Sequence, residues 1–315
     1  MRYDDSSPPP ESDAPVSPDR PWFARRSTLI VTAAALAPAC LAGWVLTQVV
    51  AGSGHHGQDA KPGTAAATGP RAAASASPSG SPSTPAKPGA PAKLTGRTVV
   101  IDPGHNTGNF KHTSEIDKQV DIGTADKECD TTGTTTNSGY MEAEFTLDVS
   151  QRLRTVLEAQ GAKVVLTHEA DRPWGPCIDE RARIGNAAGA DAVVSVHADG
   201  VSAGSRGFHI ILPAKVKQGA ADTAAIVEPS RRLGERIAGN FARTTGSAPA
   251  NYLGSGTGLV VRDDLGGLNL STRPKVFIEC GNMRDAKDAA QLTSPEWRQK
   301  AAQGIADGIV GFLGG

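Results

Sequence analysis

The chain has 315 residues, with 32 Lys and Arg against 33 Asp and Glu, and a formal net charge of −1. That balance argues against nucleic acid as a partner, because domains that bind it carry a clear basic excess. Its four cysteines, Cys40, Cys129, Cys177 and Cys280, form no CxxC pair, which argues against a cysteine-only zinc module or a thioredoxin-like redox motif.

Residues 1–27 are polar, begin rich in Asp and Pro, and end near Arg25-Arg26; they read as a disordered cytoplasmic tail. Residues 28–51 then run without a charged side chain. About 20 apolar residues span a bilayer as a helix, and flanking arginines keep their side in the cytoplasm. The segment is read as a single-pass membrane anchor, with a cleaved export signal at Ala37-Pro38-Ala39 as the alternative. Either places the rest of the chain outside the cytoplasm. Residues 52–93 are Gly, Ser, Ala, Thr and Pro with few large apolar side chains, a linker with a reach of about 35 Å. His55 and His56 read as solvated linker residues.

Residues 94–315 have the composition of one globular domain and show no internal repeat. Strands are expected at 97–102, 163–167, 191–197, 207–212, 258–261 and 275–279, and helices at about 142–160, 178–188, 229–245 and 295–312. Such alternation predicts an α/β fold: a mostly parallel central sheet with helices on both faces. A monomer is expected. The segment 106–140 is polar, Gly- and Thr-rich and without period, a long loop of the kind that is usually functional or mobile. It holds Cys129, and Cys177 lies in another polar loop. In an oxidising compartment these two are the best disulfide candidates, while Cys280 at a strand end reads as a small core residue.

Three strands end in chemistry. Val99-Val100-Ile101 runs into Asp102-Pro103-Gly104-His105, residues 192–196 deliver His197, and residues 275–278 deliver Glu279. Open α/β sheets place ligands at the carboxyl ends of their strands. Two imidazoles and one further carboxylate make a catalytic zinc site with an open fourth position. Glu142 and Glu144, at the head of a predicted helix, compete for the third ligand. Glu142 falls on the apolar stripe of Phe145, Val149, Leu153 and Val156, whereas Glu144 shares a face with Gln151 and Glu158. A carboxylate on a core-facing stripe is costly unless bound or paired, so Glu142 is the expected ligand. Glu279 is then free to carry the proton of an attacking water to a leaving amine. His112, His168 and His209 lack such support and read as structural.

At these residues the chain resembles the zinc-dependent N-acetylmuramoyl-L-alanine amidases. The resemblance covers about residues 97–313. It rests on residues 101–105 (Ile-Asp-Pro-Gly-His), Glu142 with Leu147, Glu180-Arg181 and the Asn186 segment, residues 195–198 (Ser-Val-His-Ala) and residues 279–282 (Glu-Cys-Gly-Asn). It implies one Zn2+ per chain on His105, Glu142 and His197, with Glu279 catalytic. The implied substrate is peptidoglycan or a muropeptide, cut between N-acetylmuramic acid and L-alanine. Arg262 and Asn282 are candidates for orienting substrate or supporting the site. The chain departs from the common family pattern in Asn106-Thr107, where many members have Gly-Gly, and in Ala143, where Lys is frequent. Two alternatives remain, a zinc peptidase cutting within the stem peptide and a catalytically silent wall-binding module.

Overall fold

Side-chain alternation along three adjacent strands divides the molecule into a dry half and a chemical half. A computed structural model describes residues 93–314. The expected tail, the apolar segment 28–51 and the linker up to residue 92 lie outside the described residues. Among the described residues no helix is long and apolar enough to cross a membrane.

Six strands form the main sheet: β1 (Thr98–Pro103), β2 (Lys163–Leu166), β3 (Ala192–Asp199), β4 (His209–Pro213), β5 (Leu259–Arg262) and β6 (Lys275–Asn282). Their order is β2-β1-β3-β6-β4-β5. The first four run parallel, β4 pairs antiparallel with β6, and β5 runs parallel to β4. The mostly parallel sheet expected from the sequence is therefore present, with an edge pair running the other way. Each expected strand lies within a few residues of its observed place, although β3 and β6 run on to Asp199 and Asn282, past a register shift after Glu279.

The longer helices are α1 (Glu142–Ala159), α2 (Ile178–Ala187), α3 (Val227–Thr245), α4 (Ala286–Leu292) and α5 (Pro295–Leu313). On one face of the sheet, Val99, Ile101, Val194, Val196, Val276 and Ile278 pack against Phe145 and Leu153 of α1, Leu233 and Ile237 of α3, and Ile305 and Ile309 of α5. Burying such side chains contributes about 1.5–3 kcal/mol each. This is the main core. The intervening residues of the same strands point to the other face, where Val100 and Val193 make a small apolar cluster near α2. The segment expected as a loop at 106–140 contains a helical turn at Thr113–Ile116 and a small hairpin of Gln119–Asp121 with Asp126–Glu128.

The second face is polar at its centre. Asp102, Ser195 and Lys275, from three neighbouring strands, are all buried there. Asp102 accepts from Thr167 Oγ1 (2.7 Å), Ser195 Oγ (2.8 Å), Arg181 Nη1 (2.9 Å) and Lys275 Nζ (3.1 Å). Burial alone would raise the Asp102 pKa, but Lys275 and Arg181 outweigh it and hold the carboxyl well below the usual carboxylate range.

This network makes stability depend on acid. A carboxyl whose folded pKa is depressed stabilises the fold above its unfolded pKa of about 4, and that contribution is lost as pH falls toward the folded value. Urea unfolding is therefore expected to show stability declining steadily below about pH 4. Lys275→Met, which leaves Asp102 short of one buried cation, is expected to cost about 3 kcal/mol at neutral pH in the same measurement.

Candidate metal centre and active site

The site begins where β1 stops. Pro103 and Gly104 end the strand, and His105 follows in the left-handed region with φ 61°, a conformation unfavourable for a residue with a side chain. The Gly104 position tolerates no side chain: a Cβ there would stand 2.3 Å from Cε1 of His197. The carbonyl of His105 accepts from Arg181 Nη2 at 3.1 Å, which fixes the turn. On the imidazole, Nδ1 meets the Thr131 carbonyl at 3.1 Å and Asp130 Oδ1 at 3.5 Å. Nε2 is thereby aimed at Glu142 Oε2, 3.2 Å away.

His197 reaches the same point from β3. Its ring stacks on Phe277 with centroids 5.3 Å apart and stands edge-on to His105 at 5.0 Å. Nδ1 of His197 lies 3.0 Å from Glu142 Oε1. Glu142 is the first residue of α1 and is buried, as its place on the apolar stripe requires. Two backbone amides also donate to it, Ala198 N to Oε1 (3.2 Å) and Thr134 N to Oε2 (2.9 Å). Gly133 lets the loop close over this pair; a Cβ there would lie 2.7 Å from Cδ2 of His105 and 2.9 Å from Oε2 of Glu142. One donor atom each from His105, Glu142 and His197 lies within 4.8 Å of the others.

The electrostatics follow from burial among opposite charges. Burial would raise the Glu142 pKa, but His105 and then His197 outweigh it and hold the carboxyl far below its ordinary range. Burial would likewise favour neutral His105, yet Glu142 and Asp130 push its pKa well up. Glu144 stays exposed and accepts a hydrogen bond from Met141 N at 3.2 Å, capping α1.

Glu279 stands beside His197 in the β3–β6 register and opposite His209 of β4. It lines one cavity with His105, Glu142 and His197. Its Oε2 is enclosed and has no hydrogen-bond partner. Burial first, then the charges of Glu142 and Asp199, push its pKa well above the ordinary carboxylate value. A carboxyl in that condition holds a proton more firmly than a surface glutamate does, as a group that both takes and returns a proton must.

Arg262 is exposed at the end of β5 and lines the same cavity; its guanidinium grips Asp264 through two bonds of 2.8 and 2.7 Å. Asn282 is buried in β6 and donates to the carbonyls of Val201 (3.0 Å), Ser202 (3.2 Å) and Ser205 (2.6 Å). Its amide shapes the loop after β3. Cys129 and Cys177 are joined by a disulfide with Cα atoms 4.3 Å apart, and Cys280 is a buried free thiol. His168 is buried with Nε2 on the Pro103 carbonyl (3.1 Å), His112 sits 3.5 Å from Glu115, and His209 lies in β4 with its ring against Tyr252. None of the three belongs to the donor cluster.

The sequence reading missed the supports of His105. Asp130 and Thr131 sit in the aperiodic segment, and the only hint of them was the neighbouring Cys129. Arg181 was singled out as part of a motif but given no role. It donates to Asp102 Oδ1 and Asp130 Oδ2, both at 2.9 Å, and to the carbonyls of Pro103, His105 and Pro176.

Comparison with known proteins gives a consistent result. A family model described as N-acetylmuramoyl-L-alanine amidase matches residues 99–310. The N-acetylmuramoyl-L-alanine amidase Rv3717 of Mycobacterium tuberculosis is 41% identical over 221 residues, which are 70% of this chain and 88% of that protein. The crystal structure of the N-acetylmuramyl-L-alanine amidase Ami1 from Mycobacterium smegmatis aligns with a TM-score of 0.64 at 40% identity, covering 70% of this chain and 98% of the other. Ami1 from Mycobacterium abscessus gives a TM-score of 0.64 at 42% identity, covering 70% of this chain and all of the other.

Two measurements test the support of the cluster. Asp130→Asn keeps the shape but removes the charge behind His105, and a chelator competition assay is expected to show metal affinity about 10–100-fold weaker. Reducing the disulfide, or replacing both cysteines with Ser, is expected to lower the unfolding free energy by about 4 kcal/mol, the loop-closure figure for a bridge that spans 48 residues.

Proposed function

The chain belongs to the N-acetylmuramoyl-L-alanine amidase family and hydrolyses the amide bond between N-acetylmuramic acid and L-alanine in peptidoglycan; we propose that it does so with one zinc ion held by His105, Glu142 and His197, and with Glu279 as the group that moves the proton. The observation that carries this reading is the enclosed, unpartnered Oε2 of Glu279 beside three converging donor groups.

The donor set fits zinc. Two imidazoles and one carboxylate, with a fourth position left for water or substrate, are the ligands of zinc hydrolases, and Glu142 is buried among partners that keep it ionised. When bound, zinc acidifies water toward neutral pH and polarises a carbonyl oxygen. The remaining work belongs to the chain. Asp130 and Thr131 hold the His105 ring with Nε2 forward. Phe277 fixes the plane of His197. Glu279 takes a proton from the attacking water as its oxygen bonds to the lactyl carbonyl carbon. Glu279 then gives that proton to the alanine nitrogen as the C–N bond breaks, so a free amino group leaves. Arg262, exposed on the rim beside Glu279, orients the stem peptide.

The peptidoglycan substrate places this activity outside the cytoplasm. Residues 28–51 supply the route there, as a retained anchor or as a cleaved signal. A zinc peptidase acting within the stem peptide is separated from the amidase by its products, since only the amidase releases peptides that begin with L-alanine.

Glu279→Gln is expected to lower kcat about 10²–10⁴-fold on peptidoglycan fragments. Zinc content, measured by atomic emission, is expected to stay near one per chain. Loss of the ion in this variant would reassign Glu279 as a ligand.

A further inference from the structure

The cleft has two lobes, and Glu279 lines one of them. Both lobes include His105, His197, Leu265 and Phe277. Beyond these, the first lobe adds Glu279 and Arg262. The second has a volume of about 250 Å³; Ile178, Leu265, Phe277 and Gly266-Gly267 give it apolar walls, and Lys127, Glu128 and Asp264 also line it.

We propose that the second lobe is the subsite for the acyl half of the substrate, the D-lactyl group and sugar ring of N-acetylmuramic acid, an assignment that rests on the role proposed for Glu279. The leaving nitrogen must come within hydrogen-bond reach of Glu279 to receive its proton. The stem peptide therefore departs through the first lobe. An amide is planar and trans, so its two substituents point in opposite directions from the scissile bond. With the carbonyl carbon over the His105 and His197 donor atoms, the acyl substituent enters the second lobe.

The chemistry of the walls agrees with this direction. The cations nearest the second lobe's floor are already neutralised: Arg181 is spent on Asp102 and Asp130, and Lys275 on Asp102. Its accessible charges are Lys127, which lies 3.9 Å from Asp264, and Glu128, so no unpaired cation among the described residues faces a ligand there. The apolar faces of Ile178, Leu265 and Phe277 suit a neutral group with a methyl and a sugar face better than an anionic peptide. The muramoyl acyl group is neutral once its carboxylate is tied up as the amide. The first lobe also carries Arg262 on its rim, exposed and paired with Asp264.

The test uses the zinc-loaded full chain in detergent and two substrates with the same tripeptide, one acylated by N-acetylmuramic acid and one by D-lactate alone. Ile178→Trp narrows the second lobe at a residue that touches no metal ligand in the ion-pair or hydrogen-bond network. It is expected to lower kcat/KM for the muramoyl substrate about tenfold more than for the lactoyl substrate, mainly through KM, with zinc content and circular dichroism unchanged. Ile178→Ala, which opens the wall instead, is expected to raise KM a few-fold for the muramoyl substrate alone. Equal losses on both substrates from a folded variant overturn the assignment, as does a loss that follows changes in the peptide. Wild-type protein that cuts neither substrate before L-alanine overturns the amidase reading itself, and the subsite with it.

Discussion

Arg181 donates to two carboxylates and three carbonyls, and these five acceptors come from three separate stretches of chain: the end of β1 with the turn at His105, the loop at Asp130 and the approach to α2 at Pro176. An unpaired guanidinium in that position would cost several kcal/mol, so the three stretches must meet for the fold to be stable. Their meeting is also what presents His105. The Pro103 and His105 carbonyls are held from behind, Asp130 is turned so that one oxygen faces Arg181 and the other faces the His105 ring, and the imidazole has one direction left in which to point. A strained residue persists where its surroundings over-determine it. Here the φ of 61° at His105 is fixed by a buried ion pair on one side and by the close approach of Gly104 to His197 on the other. The disulfide acts on the same knot, since Asp130 follows Cys129 directly and Cys177 stands immediately before α2, which carries Arg181.

The sheet turns this local order into a site. In a strand, alternate residues face opposite sides. The apolar set of β1, β3 and β6 builds the core with three long helices, and the other set builds, in register, a row of Asp102 with Ser195 and of His197 with Glu279. Slipping either β3 or β6 by one residue would exchange the two faces and put valine where the chemistry is. The dry core thus holds the spacing of the polar face, and the polar face needs no flexibility of its own.

This division explains what was legible in the sequence. Strands with a continuous β-branched run and an abrupt stop announce themselves, so β1, β3 and β6 and the residues at their ends could be read directly. Glu142 could be separated from Glu144 because a helix has a period, and a carboxylate on its apolar stripe demands a partner; the structure buries the first and leaves the second as a cap. Asp130 and Thr131 had no such signal. They lie in a segment without period whose path is set by tertiary contacts, among them the Cys129 bridge and the bond from Asn109 Nδ2 to the Thr131 carbonyl. Arg181 was hidden for a related reason: on a short helix an arginine reads as solvent-facing, and only the fold shows two carboxylates waiting for it. Asn282 shows the opposite case, a motif residue whose amide is committed to the backbone of residues 201–205.

Two glutamates on neighbouring elements end with opposite properties, and the cause is the set of partners each was given. Glu142 heads a helix, where backbone amides and two imidazoles surround its oxygens, so its ionised form is stabilised from several directions. That is the condition the ligand role proposed for it requires. Glu279 sits within a strand paired on both sides, beside His197 of β3 and His209 of β4. One oxygen is left bare, and the nearest charges, Glu142 and Asp199, repel its own. A carboxylate so placed takes up a proton readily. A helix N-terminus favours a carboxylate in its charged form, which suits the ligand role proposed for Glu142 and would oppose the proton-carrying role proposed for Glu279. The division of labour proposed for the two carboxylates thus follows from where secondary structure places them.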